Sequence, residues 1–211
     1  MRRNPRLAAI CAWGAVLLAL GLPVALAATS PWLSYRNPAY VIASFAGIGA
    51  LALMLLQPLL AAGYLPGPGL ARARCWHRWL GAGIVLGTAL HVGGLFLTSP
   101  DDTLDALLLV APTPFSVYGV TAMWAILATG LLVLLRRRLG LTLPVWRMAH
   151  NALALVAVLA TIIHALQIEG TMEPLSKWAL CVGVLAASLF TLFDLRLRRP
   201  LLRWRGRQPN P

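Results

Sequence analysis

Six long apolar runs, about 7–28, 40–64, 79–98, 115–135, 145–167 and 176–193, alternate with short polar connections along this chain. Each is long enough to cross a hydrocarbon core about 30 Å thick. Leu, Ala, Val and Gly follow one another without the period-two alternation of a barrel strand, so the runs predict helices. Proline and glycine mark the connections, most strongly in the Gly-Tyr-Leu-Pro-Gly-Pro-Gly stretch at 63–69. The longest connection, 99–114, holds Asp105-Ala-Leu-Leu-Leu-Val-Ala, which is expected as a short helix lying on the membrane surface. The pattern predicts an all-α membrane protein, a six-transmembrane-helix bundle, with residues 1–211 as a single membrane domain.

Composition supports that reading. Only 11% of the residues are charged and 59% are apolar, against about a quarter charged in a soluble domain. The net charge of +12 would suit a nucleic-acid binder, but its distribution points elsewhere. Arg2, Arg3 and Arg6 precede the first run; Arg72, Arg74 and Arg78 fill the second connection. Arg136, Arg137, Arg138 and Arg147 flank the fourth, and six arginines from Arg196 to Arg207 form a basic tail, 196–211. The alternate connections hold Arg36 and Lys177 as cations, with five of the six acids: Asp101, Asp102, Asp105, Glu169 and Glu173. Sixteen cations against two is the positive-inside pattern, with both termini cytoplasmic. The partner of the basic face is then the lipid bilayer and no nucleic acid, in a bacterial-type inner membrane.

Residues 1–28 resemble a signal peptide in their Arg-Arg-Asn-Pro-Arg start and Ala25-Leu26-Ala27 ending, but the run is longer than a usual signal core. A retained helix is expected. Cys11, Cys75 and Cys181 follow no redox or metal spacing and are expected as small apolar residues. Trp32, Trp76, Trp79, Trp146, Trp178 and Trp204 fall near run ends, as an aromatic belt would. Trp13 and Trp124 lie within runs, where helix packing is the simpler role.

The chemistry is carried by histidine. His77, His91, His150 and His164 are the only four, in two pairs each fourteen residues apart. Fourteen helical steps turn about 1400°, some 40° short of four turns, and rise about 21 Å. Both histidines of a pair therefore share one helix face, one near each membrane surface. The third and fifth runs are parallel, so His77 is level with His150 and His91 with His164. Zinc needs about four ligands, and each level offers two imidazoles with no acid inside the runs. Heme iron needs two axial ligands, because the porphyrin supplies the other four nitrogens. Two stacked hemes are expected. Gly81, Gly83, Gly87, Gly93 and Gly94 either make room for a macrocycle or let helices approach closely. Arg78 and Arg147, beside the inner histidines, are placed to pair with propionates; Thr98, Ser99 and Gln167 are candidates for hydrogen bonds at the outer level.

The six-run layout, the paired histidines on the third and fifth runs, and Trp146-Arg147-Met-Ala-His150 opening the fifth resemble the ferric reductase-like transmembrane domain over about residues 40–195. That domain is shared by ferric reductases, NADPH oxidases and the heme-binding membrane subunit of the methionine-sulfoxide reductase system. The resemblance implies two b-type hemes, the inner held by His77 with His150 and the outer by His91 with His164. It implies a bis-heme membrane cytochrome passing electrons to an external acceptor, ferric iron or a periplasmic partner. Ferric reductases carry a flavin and nicotinamide domain after the last helix. Here a short arginine-rich tail follows, without a G-x-G-x-x-G turn. The expected donor is therefore a cytoplasmic flavin reductase or quinol, and the chain a heme-containing oxidoreductase component. The alternative is a non-redox transporter or structural subunit whose histidines are proton relays or packing residues. Such a protein would more often carry acids inside its runs or broken helices, and neither is seen.

Overall fold

A computed structural model describes residues 5–205; Arg2, Arg3 and Arg207 lie outside them, as do the side chains at 203–205, including Trp204. Six helices are long and apolar enough to cross a membrane, and the described residues contain no strand. The chain is an integral membrane protein. Its helices are α1 (Pro5–Ala28), α2 (Pro38–Ala62), α3 (Leu70–Thr98), a short α4 (Pro100–Leu107), α5 (Pro114–Leu135), α6 (Leu143–Gln167) and α7 (Pro174–Phe193). A π-turn at Asp194–Arg198 carries α7 into α8 (Arg199–Arg205).

The helix ends have local causes. Proline stands in the first turn of α2, α4, α5, α6 and α7, where its missing N–H costs nothing. Asn37 caps α2 by accepting from the Tyr40 N–H, and Gly63 ends it at φ 69°. Helix α3 begins nine residues before the apolar run that predicts it, because Arg72, Arg74 and Arg78 interrupt hydropathy without disfavouring helix. The surface helix is real but displaced. It starts at Pro100, with Asp101 and Asp102 in the favourable first turn, and Leu109 at φ 61° follows its end. The Leu-Leu-Val-Ala part expected inside it is the turn that leaves it.

Two antiparallel hairpins dominate the packing. Helix α3 lies along α2, α6 lies along α5, and α7 closes against α2 and α6. Gly87 and Gly94 make the first hairpin tight: a Cβ on Gly94 would stand 2.7 Å from the Ala43 Cβ, and one on Gly87 3.2 Å from the Ala46 carbonyl. Close helix approach is thus the role of these two, whereas Gly93 faces open space. The buried core joins Leu51 and Met54 of α2, Ile84 of α3, Ile126 of α5, Ala157 and Val158 of α6, and Leu180 and Val184 of α7. Ile84 and Ala157 are the midpoints of the two histidine pairs, so an apolar plug separates the two levels.

One end of the bundle gathers the arginines, and here termed the basic end. Trp13 of α1 donates to the Pro66 carbonyl (2.9 Å) and meets Trp76 edge-on, which is helix packing. Asp194 is buried at this end and receives the Tyr64 hydroxyl, Arg198 (3.2 Å) and Arg199 (2.8 Å). Arg199 also reaches the Ala62 carbonyl (3.4 Å), so the turn after α2 is fastened to the start of α8. Burial first, and then the bond to Asp194, hold the Tyr64 hydroxyl above its usual pKa. The opposite, acidic end carries α4 and the 168–173 turn. Cys181 is buried in the core, Cys11 exposed and Cys75 half-buried. Trp32, Trp79, Trp124 and Trp178 present themselves outward.

Candidate functional site

Helices α3 and α6 carry all four histidines, yet these two scarcely approach each other directly. The imidazoles reach across the space between the hairpins. The His77 and His150 ring centres are 6.2 Å apart, and those of His91 and His164 are 6.4 Å apart. The matched levels expected from the spacing are therefore present, with like facing like.

At the acidic end the two rings are seated alike. His91 Nδ1 donates to the Ala43 carbonyl of α2 (2.8 Å), and His164 Nδ1 to the Phe115 carbonyl of α5 (2.8 Å). A carbonyl only accepts, so each Nδ1 holds the proton and each Nε2 keeps its lone pair. Four residues beyond each carbonyl stands a glycine. A Cβ on Gly47 would lie 2.8 Å from His91 Nδ1, and one on Gly119 2.7 Å from His164 Nδ1. Carbonyl at n and glycine at n+4 thus form the same seat twice, once per hairpin. No side chain other than hydrogen lets the ring reach a carbonyl that already serves its own helix.

The basic-end pair is asymmetric. His77 Nδ1 lies 3.1 Å from the Gln57 backbone carbonyl and 2.6 Å from the Gln57 side-chain nitrogen, whose N–H donates to it. The Gln57 amide oxygen accepts from the Gly81 N–H (2.9 Å) and its nitrogen also donates to the His77 carbonyl (3.2 Å), tying α2 to the α3 backbone. His150 Nδ1 is buried with no protein partner. Its ring instead stacks on Trp146 at 5.2 Å and 14°, and Arg136 lies 4.5 Å over that indole. Trp146 Nε1 is also buried without a partner. Trp146 is therefore more than a belt residue. Arg196 bridges to α6 here, giving both N–H groups to the Asn151 oxygen (2.6 and 2.8 Å) and one to the Arg147 carbonyl (3.3 Å).

Arg78 and Arg147 lie at this level, exposed, and neither has an ion-pair partner among the described residues. At the acidic end a cavity of about 800 Å³ has His91 and His164 in its wall, with Thr98 and Ser99. Gln167 is exposed at the end of α6. Asp101, Asp102 and Asp105 sit on α4, and among the described residues no three His, Cys, Asp or Glu side chains converge as a metal-binding cluster. Sequence reasoning missed Gly47, Gly119, Gln57 and the Ala43 and Phe115 carbonyls. The only signal was two glycines in each of α2 and α5, and nothing in one sequence says which helix face they occupy.

The geometry suits a group bridged between each pair. Two imidazoles on opposite sides of one metal, each bond about 2 Å long, bring the ring centres to roughly 6.3 Å. Both observed separations match. The family model described as ferric reductase like transmembrane component matches residues 46–161, more than half of the chain. His77, His91 and His150 fall within the match, and His164 lies three residues past it. No curated protein and no solved structure matches the chain.

Proposed function

This chain belongs to the ferric reductase-like transmembrane family, and from that premise we propose that it is a bis-heme b-type membrane cytochrome. One heme is held by His77 and His150, the other by His91 and His164. The observation that carries the reading is the pair of ring separations, 6.2 and 6.4 Å, at two levels of one bundle. The orphaned His150 Nδ1 and Trp146 Nε1 add to it, because buried polar atoms without partners mark a place where a bound group or water belongs.

Heme supplies one-electron redox chemistry when bound. The chain's own residues do the rest. The Ala43 and Phe115 carbonyls fix the tautomer and orientation of two of the histidines, and Gln57 orients His77, the task that surrounding groups serve at any metal-binding histidine. Ile84 and Ala157 keep the region between the levels apolar. Arg78 and Arg147, exposed beside the basic-end pair, would hold the propionates of the group bound there. The basic end is cytoplasmic, in a bacterial-type inner membrane; electrons enter there from a flavin reductase or quinol. They leave at the acidic end to ferric iron or a periplasmic partner, which makes the chain the heme-carrying component of an oxidoreductase.

The test is a reduced-minus-oxidised visible spectrum of the detergent-purified chain, with pyridine-hemochrome quantification. Two b-type hemes per chain are expected. One heme would confine the reading to a single pair. None, in protein made with ample heme, would overturn it in favour of a colourless transporter or structural subunit.

A further inference from the structure

Lys177 stands where an ammonium is badly placed. It lies in the first turn of α7, where the helix dipole disfavours a cation, and its side chain is only 8% exposed. Its Nζ donates to the Ile168 carbonyl at 2.7 Å. An ammonium has three donors, so two remain. No carboxylate answers them: among the described residues the ion pairs all belong to Asp194, at the other end of the molecule. Glu173, one turn earlier, gives both carboxylate oxygens to the Leu175 and Ser176 N–H groups (2.8 and 2.6 Å). Asp102, Asp105 and Glu169 line the same cavity as Lys177 without pairing with it. A buried charge without a partner is among the costliest features a fold can hold.

That cavity is the one walled by His91 and His164. Ile168, whose carbonyl anchors Nζ, lies one helical turn beyond His164 towards the acidic end. Arg36 is also in the wall, its guanidinium 4.5 Å above the Tyr40 ring and without an acid partner. The Thr161 hydroxyl, in the wall on α6, is buried with no hydrogen bond. Two cations, three carboxylates and an unpartnered hydroxyl therefore border one space walled in part by the histidine pair.

We infer that Lys177 is the anchor of a carboxylate-binding subsite at the acidic-end pair. On the bis-heme reading, the carboxylate is a propionate of the heme held by His91 and His164. A free external carboxylate, such as citrate carrying ferric iron, has the same chemistry and is the second source.

Lys177→Gln separates charge from polarity, because a polar donor stays at this position while the charge is gone. The full-length chain, purified without heme, is reconstituted with heme b or with its dimethyl ester, in wild-type and Lys177→Gln forms. Potentiometric titration resolves the two levels. Esterification is expected to weaken the acidic-end heme of the wild type at least fivefold more than that of the variant, with the basic-end heme as internal control. Lys177→Arg should restore the wild-type pattern. Citrate is titrated separately against the fluorescence of the neighbouring Trp178. Equal ester penalties in both proteins, with a citrate response that Lys177→Gln abolishes, would assign the site to a free carboxylate. Equal penalties and no citrate response would overturn the inference. A wild type that takes up no heme would remove the bis-heme reading and leave the citrate arm to decide Lys177 alone.

Discussion

The two histidine pairs share their sequence spacing and almost share their ring separation, 6.4 Å at the acidic end and 6.2 Å at the basic end. Their construction differs. At the acidic end both imidazoles rest on carbonyls of a partner helix, over glycines that admit them. At the basic end one imidazole is fixed by Gln57, and the other is steered by an indole face and nothing else. The acidic-end site is preorganised by backbone carbonyls, the basic-end site by Gln57 on one side and a stacked indole on the other. Equal spacing in a sequence is thus no guarantee of equal sites.

The sharpest way to break the comparison is to spoil one seat. Gly119→Val should force the His164 ring off the Phe115 carbonyl, since even a Cβ would lie 2.7 Å from Nδ1. Overpacking of this kind costs about 1–3 kcal/mol, so on the bis-heme proposal acidic-end heme content should fall about tenfold or more. The basic-end heme should persist, and a hemochrome assay with potentiometry would separate the two. Loss of both hemes would mean the levels are not independent.

Trp146→Leu tests the other seat. Removing the stacked indole takes away about 0.5–1.5 kcal/mol and frees the His150 ring to rotate. The basic-end heme should broaden in electron paramagnetic resonance and lose affinity up to about tenfold, while the acidic-end signal stays sharp. Gln57→Leu is milder. It keeps the backbone carbonyl beside His77 and deletes the amide's contacts with His77 Nδ1 and the α3 backbone, each worth about 0.5–1.5 kcal/mol. A basic-end affinity loss of about fivefold is expected, and an unchanged value would show that the carbonyl alone suffices.

The smallest effect concerns acid. The Ser176 and Leu175 N–H groups hold the Glu173 carboxyl below its usual pKa. A group depressed in the folded state contributes stability above its unfolded value, near pH 4.3, and loses it as pH falls through the folded value. The melting temperature of Glu173→Gln should therefore lie slightly below wild type at neutral pH, and the gap should close on acidification. A gap independent of pH would assign the cap to shape rather than charge.

Much of this was legible beforehand. Lipid leaves the backbone one economical solution, so six apolar runs became six helices with ends displaced by a few residues, except where arginines masked the start of α3. The fourteen-residue spacing predicted facing histidines because helical periodicity is rigid, and the rings do face each other. Proline chemistry moved the surface helix to Pro100–Leu107, an effect that hydropathy does not see. The histidine seats were hidden for a different reason. Gly47 and Gly119 act through contacts some 45 residues away in the chain, and only the angle at which α2 meets α3, and α5 meets α6, makes them matter. Gly87 and Gly94 could equally make room for a macrocycle or let helices approach closely, and their contacts with Ala46 and Ala43 show the second role.

The sparse direct approach of α3 and α6 has a thermodynamic consequence. Helices α3 and α6 face each other through four rings, and on the bis-heme proposal they draw part of their cohesion from the group held between them. Any ligand that binds the folded chain alone stabilises it by RT ln(1 + [L]/Kd), about 2.7 kcal/mol at a hundredfold excess over Kd. The melting temperature of this protein should then be a titration curve rather than a constant. A host that makes the polypeptide faster than its cofactor would accumulate the less durable form, and supply rather than sequence would set the yield.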